Sequence, residues 1–238
     1  MATFVKHEGC PRCGSRNNLG RYNDGSAYCF GCHYTERGTT NPWIGERNGK
    51  SEREDDERPV VRGVRHLDEA AFEWLAKYQI SIPDALSAGF KWYEPMHQLA
   101  LPLYDNEGKV CCVQYKNFDN KRKEKAKYYN VGDKSKHFTI YGGRHTGTIV
   151  LTEDVVSSLK VGSVSDAFPL LGTSIAKESL IALARLYTRM VVWLDDDKWR
   201  EGRAIADAAK LLGLSATALL TPLDPKEYIL QEIEQWLR

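Results

Sequence analysis

From Thr148 onward, the sequence alternates short apolar runs with longer segments that have helical spacing. The apolar runs are TIVLT, FPLLG, MVVWL and SATALLT, and the segments that follow them are VVSSLKVG, SIAKESLIALARLYT, REGRAIADAAKLLG and KEYILQEIEQWLR. The runs are typical of buried strands, and the longer segments are typical of amphipathic helices. Strands that alternate with helices predict a parallel sheet with right-handed crossovers.

Residues 61–143 have a different pattern, which predicts a mixed α+β region. The segment HLDEAAFEWLAKYQI has apolar residues at helical spacing, and PDALSAG has Pro at its start and Gly past its end, as in a short helix. The segment LALPLYDNEGKVCCVQYKNF contains two apolar runs around a DNEG turn and predicts a β-hairpin. Its cysteines, Cys111 and Cys112, are expected to be buried strand residues.

The N-terminal part of the sequence lacks both patterns. Residues 1–38 contain four of the six cysteines, and residues 39–60 (TTNPWIGERNGKSEREDDERPV) are polar, without apolar periodicity. Such a composition is typical of a flexible linker. We therefore expect a small cysteine-containing domain, a linker, and a larger region divided into residues 61–143 and 144–238.

Composition indicates the class of protein and its compartment. Of the 238 residues, 42% are hydrophobic and 27% are charged, with a net charge of +1, as in an ordinary globular protein. The N-terminus has no apolar region typical of a secretory signal, and no window approaches the roughly 20 apolar residues of a membrane span. These features predict a cytoplasmic protein with no membrane partner.

Positive charge is concentrated in one strip between residues 116 and 136. Its basic residues are Lys116, Lys121, Arg122, Lys123, Lys125, Lys127, Lys134 and Lys136. Only Asp119, Glu124 and Asp133 oppose them. A basic strip on a nearly neutral chain indicates that a polyanion is bound in one place.

The four N-terminal cysteines form two CxxC pairs, Cys10 with Cys13 and Cys29 with Cys32. Two such pairs present four thiolates to one tetrahedral Zn²⁺ ion, which supplies about 10 kcal/mol to a segment too small to fold unaided. The alternative is a redox dithiol, which needs a CxxC at a strand–helix junction in a different context. We predict one structural zinc ion.

A four-sulfur zinc site has no open ligand position, so this domain is expected to recognise a partner rather than to catalyse a reaction. Aromatic residues interleave there with arginines: Tyr22, Tyr28, Phe30 and Tyr34 with Arg12, Arg16, Arg21 and Arg37. Rings that stack on bases, with cations for phosphates, suit single-stranded nucleic acid. The alternative is that the rings only pack the small core of the domain.

Acidic residues follow three of the predicted parallel strands. Glu153 comes directly after TIVLT, Asp195–Asp197 follow MVVWL, and Asp224 lies in PLDPKE after the fourth apolar run. Because open α/β sheets bind ligands at the carboxyl ends of strands, these carboxylates are expected to meet at one edge. Crowded carboxylates need cations, and Mg²⁺ or Mn²⁺ shared with substrate phosphates is the usual solution. The alternative is that these residues only cap the following helices.

The order of these features resembles the DnaG-type primases. The closest likeness is to the primase half of bacteriophage primase-helicases, in the motifs CPRCGS, YCFGC, KYYN with KSKHFTIYGG, LLGTS and LDPKEYI. The resemblance implies an α/β protein with a small four-cysteine zinc ribbon of antiparallel strands at residues 1–38 and a flexible linker at residues 39–60. A primase RNA polymerase domain would follow, with a basic α+β subdomain at residues 61–143 and a parallel-sheet Toprim catalytic subdomain at residues 144–238.

The resemblance also implies a set of catalytic and magnesium-binding carboxylates: Glu153, Asp195, Asp197 and Asp224. Glu153 would act as general base or metal ligand, and the DxD pair after MVVWL would bind magnesium. The sequence departs from the family pattern at Asp154, which replaces a glycine, and at Ser157, which replaces an aspartate. We therefore expect the same class of reaction as in the family, with a different arrangement of residues around Glu153.

Basic and polar residues fall where the family holds nucleotide phosphates and template. They are Lys116, Lys127, Asn130, Lys134 and Lys136.

The implied activity is that of a DNA-directed RNA polymerase that makes short RNA primers on single-stranded DNA from ribonucleoside triphosphates, with two divalent ions. The zinc ribbon would recognise a short template site. A separate replicative helicase and a DNA polymerase are expected as partners, because 238 residues leave no room for a helicase domain.

Two alternatives stand beside this reading. One is a DNA-binding recombination mediator like RecR, which combines a zinc site and a Toprim fold without catalysis. Its zinc site follows a helix-hairpin-helix region, whereas the cysteines here begin at Cys10. The other is a Toprim nuclease, which normally has no zinc ribbon ahead of a basic motif.

Overall fold

The computed structural model describes residues 4–23, 25–32, 34–36, 58–119, 126–143 and 147–238. Met1–Asp56 and Glu57–Arg238 form two compact units. The predicted linker at residues 39–60 lies outside the described residues except for residues 58–60, and so does the part of the basic strip at residues 120–125. No helix within the described ranges is both long and apolar enough to cross a membrane.

The first unit contains the predicted antiparallel sheet of the zinc ribbon. Its strands pair in chain order: β1 (Phe4–Glu8), β2 (Leu19–Tyr22), β3 (Ala27–Cys29) and β4 (Thr35–Glu36). The buried core consists of Leu19 and Ala27 packed against Cys10 and Cys29. So few apolar side chains do not stabilise a sheet unaided, which agrees with the predicted need for a metal ion.

The second unit begins with two helices and a four-stranded antiparallel sheet. The elements are α1 (Glu69–Lys77), α2 (Ile82–Ser87), β5 (Lys91–Tyr93), β6 (Gln98–Tyr104), β7 (Val110–Asn117) and β8 (Tyr128–Gly132), with the strands paired in that order. Each helix begins after a side-chain cap, because Asp68 accepts a hydrogen bond from the N–H of Ala70 and Ser81 accepts one from the N–H of Asp84. The predicted hairpin is β6–β7, and Cys111 is buried within it.

The remainder of the second unit is the predicted parallel sheet with its helices. The elements are β9 (Thr148–Thr152), α3 (Val155–Gly162), β10 (Asp166–Pro169), α4 (Lys177–Leu186), β11 (Arg189–Trp193), α5 (Trp199–Leu211), β12 (Ser215–Ala218) and α6 (Leu230–Leu237). The strand order is β10-β9-β11-β12, and all pairs are parallel. Ile149 and Leu151 pack into one apolar cluster, whereas Val150 and Trp193 pack into another. Because successive residues of a strand point to opposite faces, both faces of the sheet are covered, and the strands read as continuous apolar runs.

One strand differs from the predicted one. The apolar run FPLLG suggested a strand that starts at Phe168, but β10 starts at Asp166 and ends at Pro169, and the chain turns away at Leu171, where φ is 53°. Asp166 is fully buried, and the hydroxyl of Tyr187 donates a hydrogen bond to its carboxylate over 3.0 Å. A buried aspartate with a hydrogen-bond partner can lie inside a sheet, although its polarity suggests a strand boundary.

Candidate functional site

The four N-terminal cysteines converge in the first unit, as predicted. Their sulfur atoms all lie within 4.8 Å of one another, and the Sγ–Sγ distances are 3.7 Å for both Cys10–Cys32 and Cys13–Cys29. Zinc–sulfur bonds of about 2.3 Å in a tetrahedron place the sulfurs about 3.8 Å apart. Hydrogen bonds from Ser15 lower the pKa of the Cys13 thiol, whereas burial raises the pKa of the Cys32 thiol, so the support for zinc comes from the geometry of the four sulfurs. The cysteines therefore fit one tetrahedral zinc ion.

The predicted aromatic residues of the first unit divide into two groups. Tyr34 packs against the cysteine core, whereas the ring of Phe30 is 57% exposed. Phe30 lies 5.1 Å from Tyr28 and 6.2 Å from His7, and His7 lies 4.8 Å from Phe4 between ring centroids. Packing of the core thus accounts for Tyr34 but not for this row of connected rings.

Glu153 and Asp195 lie where the strand order of the parallel sheet reverses. Glu153 follows β9 directly, Asp195 follows β11 after one residue, and the chain passes from β9 to β10 on one side before it returns to β11 on the other. Ligands of open α/β sheets bind at this point. Burial, followed by the negative charges of Asp224 and Glu153, raises the pKa of Asp195 to about 7. Burial, followed by charges that include Asp154 and Asp197, raises the pKa of Glu153. The structure thus brings the predicted carboxylates to one edge.

Two carboxylate oxygens at this edge are buried and lack a partner. Among the described residues, neither Oε2 of Glu153 nor Oδ1 of Asp195 has a hydrogen-bond partner, and Asp195 makes no side-chain capping bond. Buried carboxylate oxygens without partners are costly, and a divalent cation that prefers oxygen ligands would satisfy them. In the described part of the chain, only the cysteines have three or more ligand atoms within 4.8 Å of one another. The acidic edge therefore fits an ion that binds few protein oxygens and shares the rest with phosphates or water, as magnesium does.

The other acidic residues of the edge are paired with lysines. Asp197 is exposed and forms an ion pair with Lys198. Lys226 has a side chain that is 11% exposed, and its Nζ lies 2.7 Å from Oδ2 of Asp154 and 2.8 Å from Oδ2 of Asp224. Burial lowers the pKa of Lys226, but the charges of both carboxylates more than offset this and raise it. Two of the acidic residues thus share one buried ammonium group.

Lys116, on β7, is enclosed by aromatic rings. Its Nζ lies 4.5 Å from the ring centre of Phe118, 5.5 Å from that of Trp74 and 5.6 Å from that of Tyr128. The ammonium group donates a hydrogen bond to the backbone carbonyl of Asn117 over 2.9 Å. Burial, and then the charge of Lys127, lowers the pKa of Lys116 to about 8. Lys116, Trp74, Phe118 and Tyr128 are called the lysine cage below.

The lysine cage adjoins the acidic edge. Burial, followed by the charge of Asp154, raises the pKa of Tyr128. Nζ of Lys226 lies 6.0 Å from the ring centre of Tyr78. The ring centres of Tyr78 and Trp74 are 5.7 Å apart. A continuous row of rings therefore joins the basic and acidic residues.

The other predicted basic and polar residues are distributed more widely. Lys127 is exposed and lies over the ring of Tyr128 at 5.7 Å. Lys134 donates a hydrogen bond to the carbonyl of Leu171, in the turn after β10. Asn130 accepts a hydrogen bond from Gln114. Lys136 does not lie at the acidic edge but lines a groove together with Asp105 and Glu178.

Sequence reasoning missed Lys226 and the rings of the lysine cage. The only local signal for Lys226 was its position two residues after Asp224 in LDPKEYI. Trp74 lies in the segment HLDEAAFEWLAKYQI, whose pattern predicts a helix but does not indicate a ring that contacts a lysine.

Comparison with known proteins shows the class of fold. Neither a family model nor a curated protein sequence matches the chain. The zinc-binding and RNA polymerase domains of the Aquifex aeolicus primase match with a TM-score of 0.63 and 13% identity, over 99% of this chain and 79% of that one. The structural neighbours are fragments of DnaG-type primases. The chain therefore has the fold of the zinc-binding and RNA polymerase domains of these primases.

Two further structures belong to the same group. The DnaG primase catalytic domain bound to single-stranded DNA matches with a TM-score of 0.53 and 16% identity, over 71% of this chain and 69% of that one. The primase fragment of the bacteriophage T7 primase-helicase matches with a TM-score of 0.46 and 18% identity, over 99% of this chain and 98% of that one.

Proposed function

We propose that this chain is a DNA primase, which synthesises short RNA primers on single-stranded DNA from ribonucleoside triphosphates. The observation that carries the proposal is the acidic edge at the strand-order reversal of a primase fold, with buried oxygens of Glu153 and Asp195 that lack partners among the described residues. The DnaG catalytic domain, a structural neighbour, was observed with single-stranded DNA, which supports the same template class for this chain.

In this proposal the parallel sheet is a Toprim catalytic subdomain that holds Mg²⁺ or Mn²⁺ through Glu153, Asp195, Asp197 and Asp224. Bound divalent ions would supply Lewis-acid stabilisation for attack of a 3′-hydroxyl on the α-phosphate of the incoming nucleotide. The lysine cage would hold phosphates, assisted by Lys127, Asn130 and Lys134, whereas Lys136, in the groove with Asp105 and Glu178, would contact the template away from the acidic edge. Fixed cations beside the acidic edge contribute by positioning the triphosphate and by stabilising its charge.

The zinc ribbon would recognise a short template site. Its row of connected rings, from Phe4 through His7 and Phe30 to Tyr28, offers π-faces on which template bases can stack. Two nucleotides on a template pair only weakly, and a domain that grips the template raises the effective concentration of the initiation complex. A replicative helicase and a DNA polymerase would act with the chain.

The alternatives are less well supported. A RecR-like mediator needs no unpaired buried carboxylates, and the Aquifex aeolicus primase structure matches 99% of this chain. A Toprim nuclease would use the same acidic residues, but it normally has no zinc ribbon ahead of a basic region that binds nucleotides.

A single assay tests the proposal. The full-length chain is incubated with single-stranded templates of varied sequence, ribonucleotides and Mg²⁺ or Mn²⁺, and labelled products are sized on a gel. We expect short RNA whose sequence is complementary to the template. Shortened DNA would instead indicate a nuclease, and DNA binding without any product would indicate a mediator.

The low pKa of Lys116 predicts a pH-dependent affinity for nucleotide. A lysine is charged below its pKa, and the pKa of Lys116 is about 8, so the cation is present at neutral pH and is lost in mild alkali. We expect the affinity for ribonucleoside triphosphate to fall about ten-fold from about pH 7 to about pH 9. Calorimetric titration of the wild type and of Lys116→Met with ribonucleoside triphosphate measures this affinity at each pH.

Lys116→Met should bind more weakly at neutral pH and show little change over the same range. Lys109→Met, which removes an exposed lysine paired with Glu107, serves as the control and should keep the wild-type profile. An unchanged decline in Lys116→Met would assign the pH dependence to another group.

A further inference from the structure

A lysine ammonium group already lies among the carboxylates of the candidate metal site. Nζ of Lys226 is within 2.8 Å of carboxylate oxygens of both Asp154 and Asp224. Its side chain is 11% exposed, and its ammonium lies 6.0 Å from the ring centre of Tyr78. This is the arrangement of a buried, bridging cation rather than of a mobile surface lysine, because burial and two charge-assisted hydrogen bonds hold the group in place.

Both carboxylate oxygens of Asp154 already accept a hydrogen bond. Its Oδ2 accepts the hydrogen bond from Lys226, and its Oδ1 accepts one from the N–H of Ser157 over 2.7 Å, which caps α3. Oδ2 of Asp224 likewise accepts a hydrogen bond from Lys226.

The carboxylates of the edge therefore form two sets. Asp154 and Asp224 share the charge of one lysine, whereas Glu153 and Asp195 each have a buried oxygen without a partner among the described residues. Neighbouring carboxylates repel one another unless cations neutralise them. The first set has its cation in the chain itself, whereas no ion pair to Glu153 or Asp195 is found in the described part of the chain.

We propose that Lys226 is a built-in cation of this site: its ammonium occupies, between Asp154 and Asp224, the place of a second divalent ion, so that the acidic edge binds one divalent ion, at Glu153 and Asp195. This inference rests on the proposed nucleotidyl transfer and replaces its two-ion form. Lys226 is then a positioning residue, since it fixes the loop that carries Asp224 and the start of α3, next to Glu153.

Counting bound Mn²⁺ tests the inference. The zinc-loaded full chain is titrated with Mn²⁺ by calorimetry as wild type, Lys226→Met, Lys226→Arg and Lys210→Met. Removal of the ammonium frees two carboxylates, so Lys226→Met should bind one more Mn²⁺ per chain than the wild type. Lys226→Arg keeps the charge and should keep the wild-type count. Lys210→Met breaks an exposed pair with Asp207 and should also keep it.

Lys226→Met leaves two carboxylates without a neutralising charge and should be less stable than the wild type. A second measurement, of the melting temperature with and without Mn²⁺, therefore accompanies the count. Mn²⁺ should raise the melting temperature of this variant more than that of the wild type, and Lys226→Gln, which keeps a hydrogen-bond donor, should behave in the same way. In the double variant Asp154→Asn, Lys226→Met, the additional ion should be lost, because asparagine can still cap α3 through its carbonyl but binds a cation poorly.

Equal Mn²⁺ counts in wild type and Lys226→Met, together with equal stabilisation by Mn²⁺, would overturn the inference. The proposed function is tested separately by primer synthesis of the wild type. If the wild type makes no primer, the proposed primase activity is wrong. The difference in Mn²⁺ count between the wild type and Lys226→Met is measured without any reaction and does not depend on that result.

Discussion

Asp195→Asn is expected to reduce primer synthesis on the order of 100-fold or more and to leave the fold intact. Supporting residues around metal ligands typically cost about 10- to 100-fold when they are replaced, and a ligand itself should cost at least as much. Asp195 has a buried Oδ1 without a partner among the described residues, and burial and the charges of Asp224 and Glu153 raise its pKa to about 7. Asparagine keeps the shape of the side chain and removes one of the mutually repelling charges, so the melting temperature of the metal-free protein should not fall.

The measurement combines a primer-synthesis assay, binding of single-stranded DNA and thermal unfolding. Asp207→Asn is the matched control: it makes the same chemical change at an exposed residue of α5 that pairs with Lys210, and it should keep wild-type synthesis. Near-normal synthesis by Asp195→Asn would remove this residue from the catalytic set. Unfolding of the variant would instead mean that the carboxylate has a structural role.

The parallel sheet could be predicted from the sequence because its physical cause is local. A strand covered on both faces is apolar at most positions, as in the IVL run of β9 and the MVVW run of β11. Since parallel strands end at one edge, the position of Glu153 directly after β9 also predicted its position in the fold. The start of β10 could not be predicted, because the partner that satisfies buried Asp166 is Tyr187, which lies 21 residues away.

The pairing inside the acidic edge has no local signal. Lys226 and Asp154 are 72 residues apart in the sequence, and no pattern of apolar and polar positions relates them. The structure also gives a physical reason for Asp154, where the family resembled by the sequence usually has a glycine: the carboxylate caps α3 and binds Lys226. The aspartate at position 154, which departs from the family pattern, and Lys226 are thus the two partners of one ion pair.

The four-cysteine cluster could be predicted almost completely, because the spacing of two CxxC pairs already allows four thiolates to surround one ion. Each pair brings two sulfurs to one side of an ion, and the β2–β3 hairpin brings the pairs together. The lysine cage is the opposite case: Trp74, Lys116 and Tyr128 come from α1, β7 and β8. Their proximity depends on how the helix packs against the sheet, which the sequence does not indicate.

Cys29→Ser is expected to release zinc and to unfold the first unit, while the second unit stays folded. Cys29 is fully buried at the end of β3 and packs against Leu19 and Ala27. A serine hydroxyl is a poor zinc ligand, and without the ion this small core cannot offset the entropy of an ordered chain. The second unit is compact by itself and contains the acidic edge. Initiation on bare single-stranded DNA should therefore be lost, whereas extension of a supplied RNA dinucleotide should persist at a low rate.

Zinc content by mass spectrometry and thermal unfolding report on the first unit, and gel analysis of products separates initiation from extension. Cys111→Ala, which removes a buried thiol from β7 in the second unit, should keep its zinc and its site-selective initiation. Unchanged initiation by a zinc-free Cys29→Ser chain would mean that template recognition lies in the second unit. Loss of extension together with initiation would mean that the zinc-bearing unit is also needed for chemistry at the acidic edge, provided that thermal unfolding shows the second unit still folded.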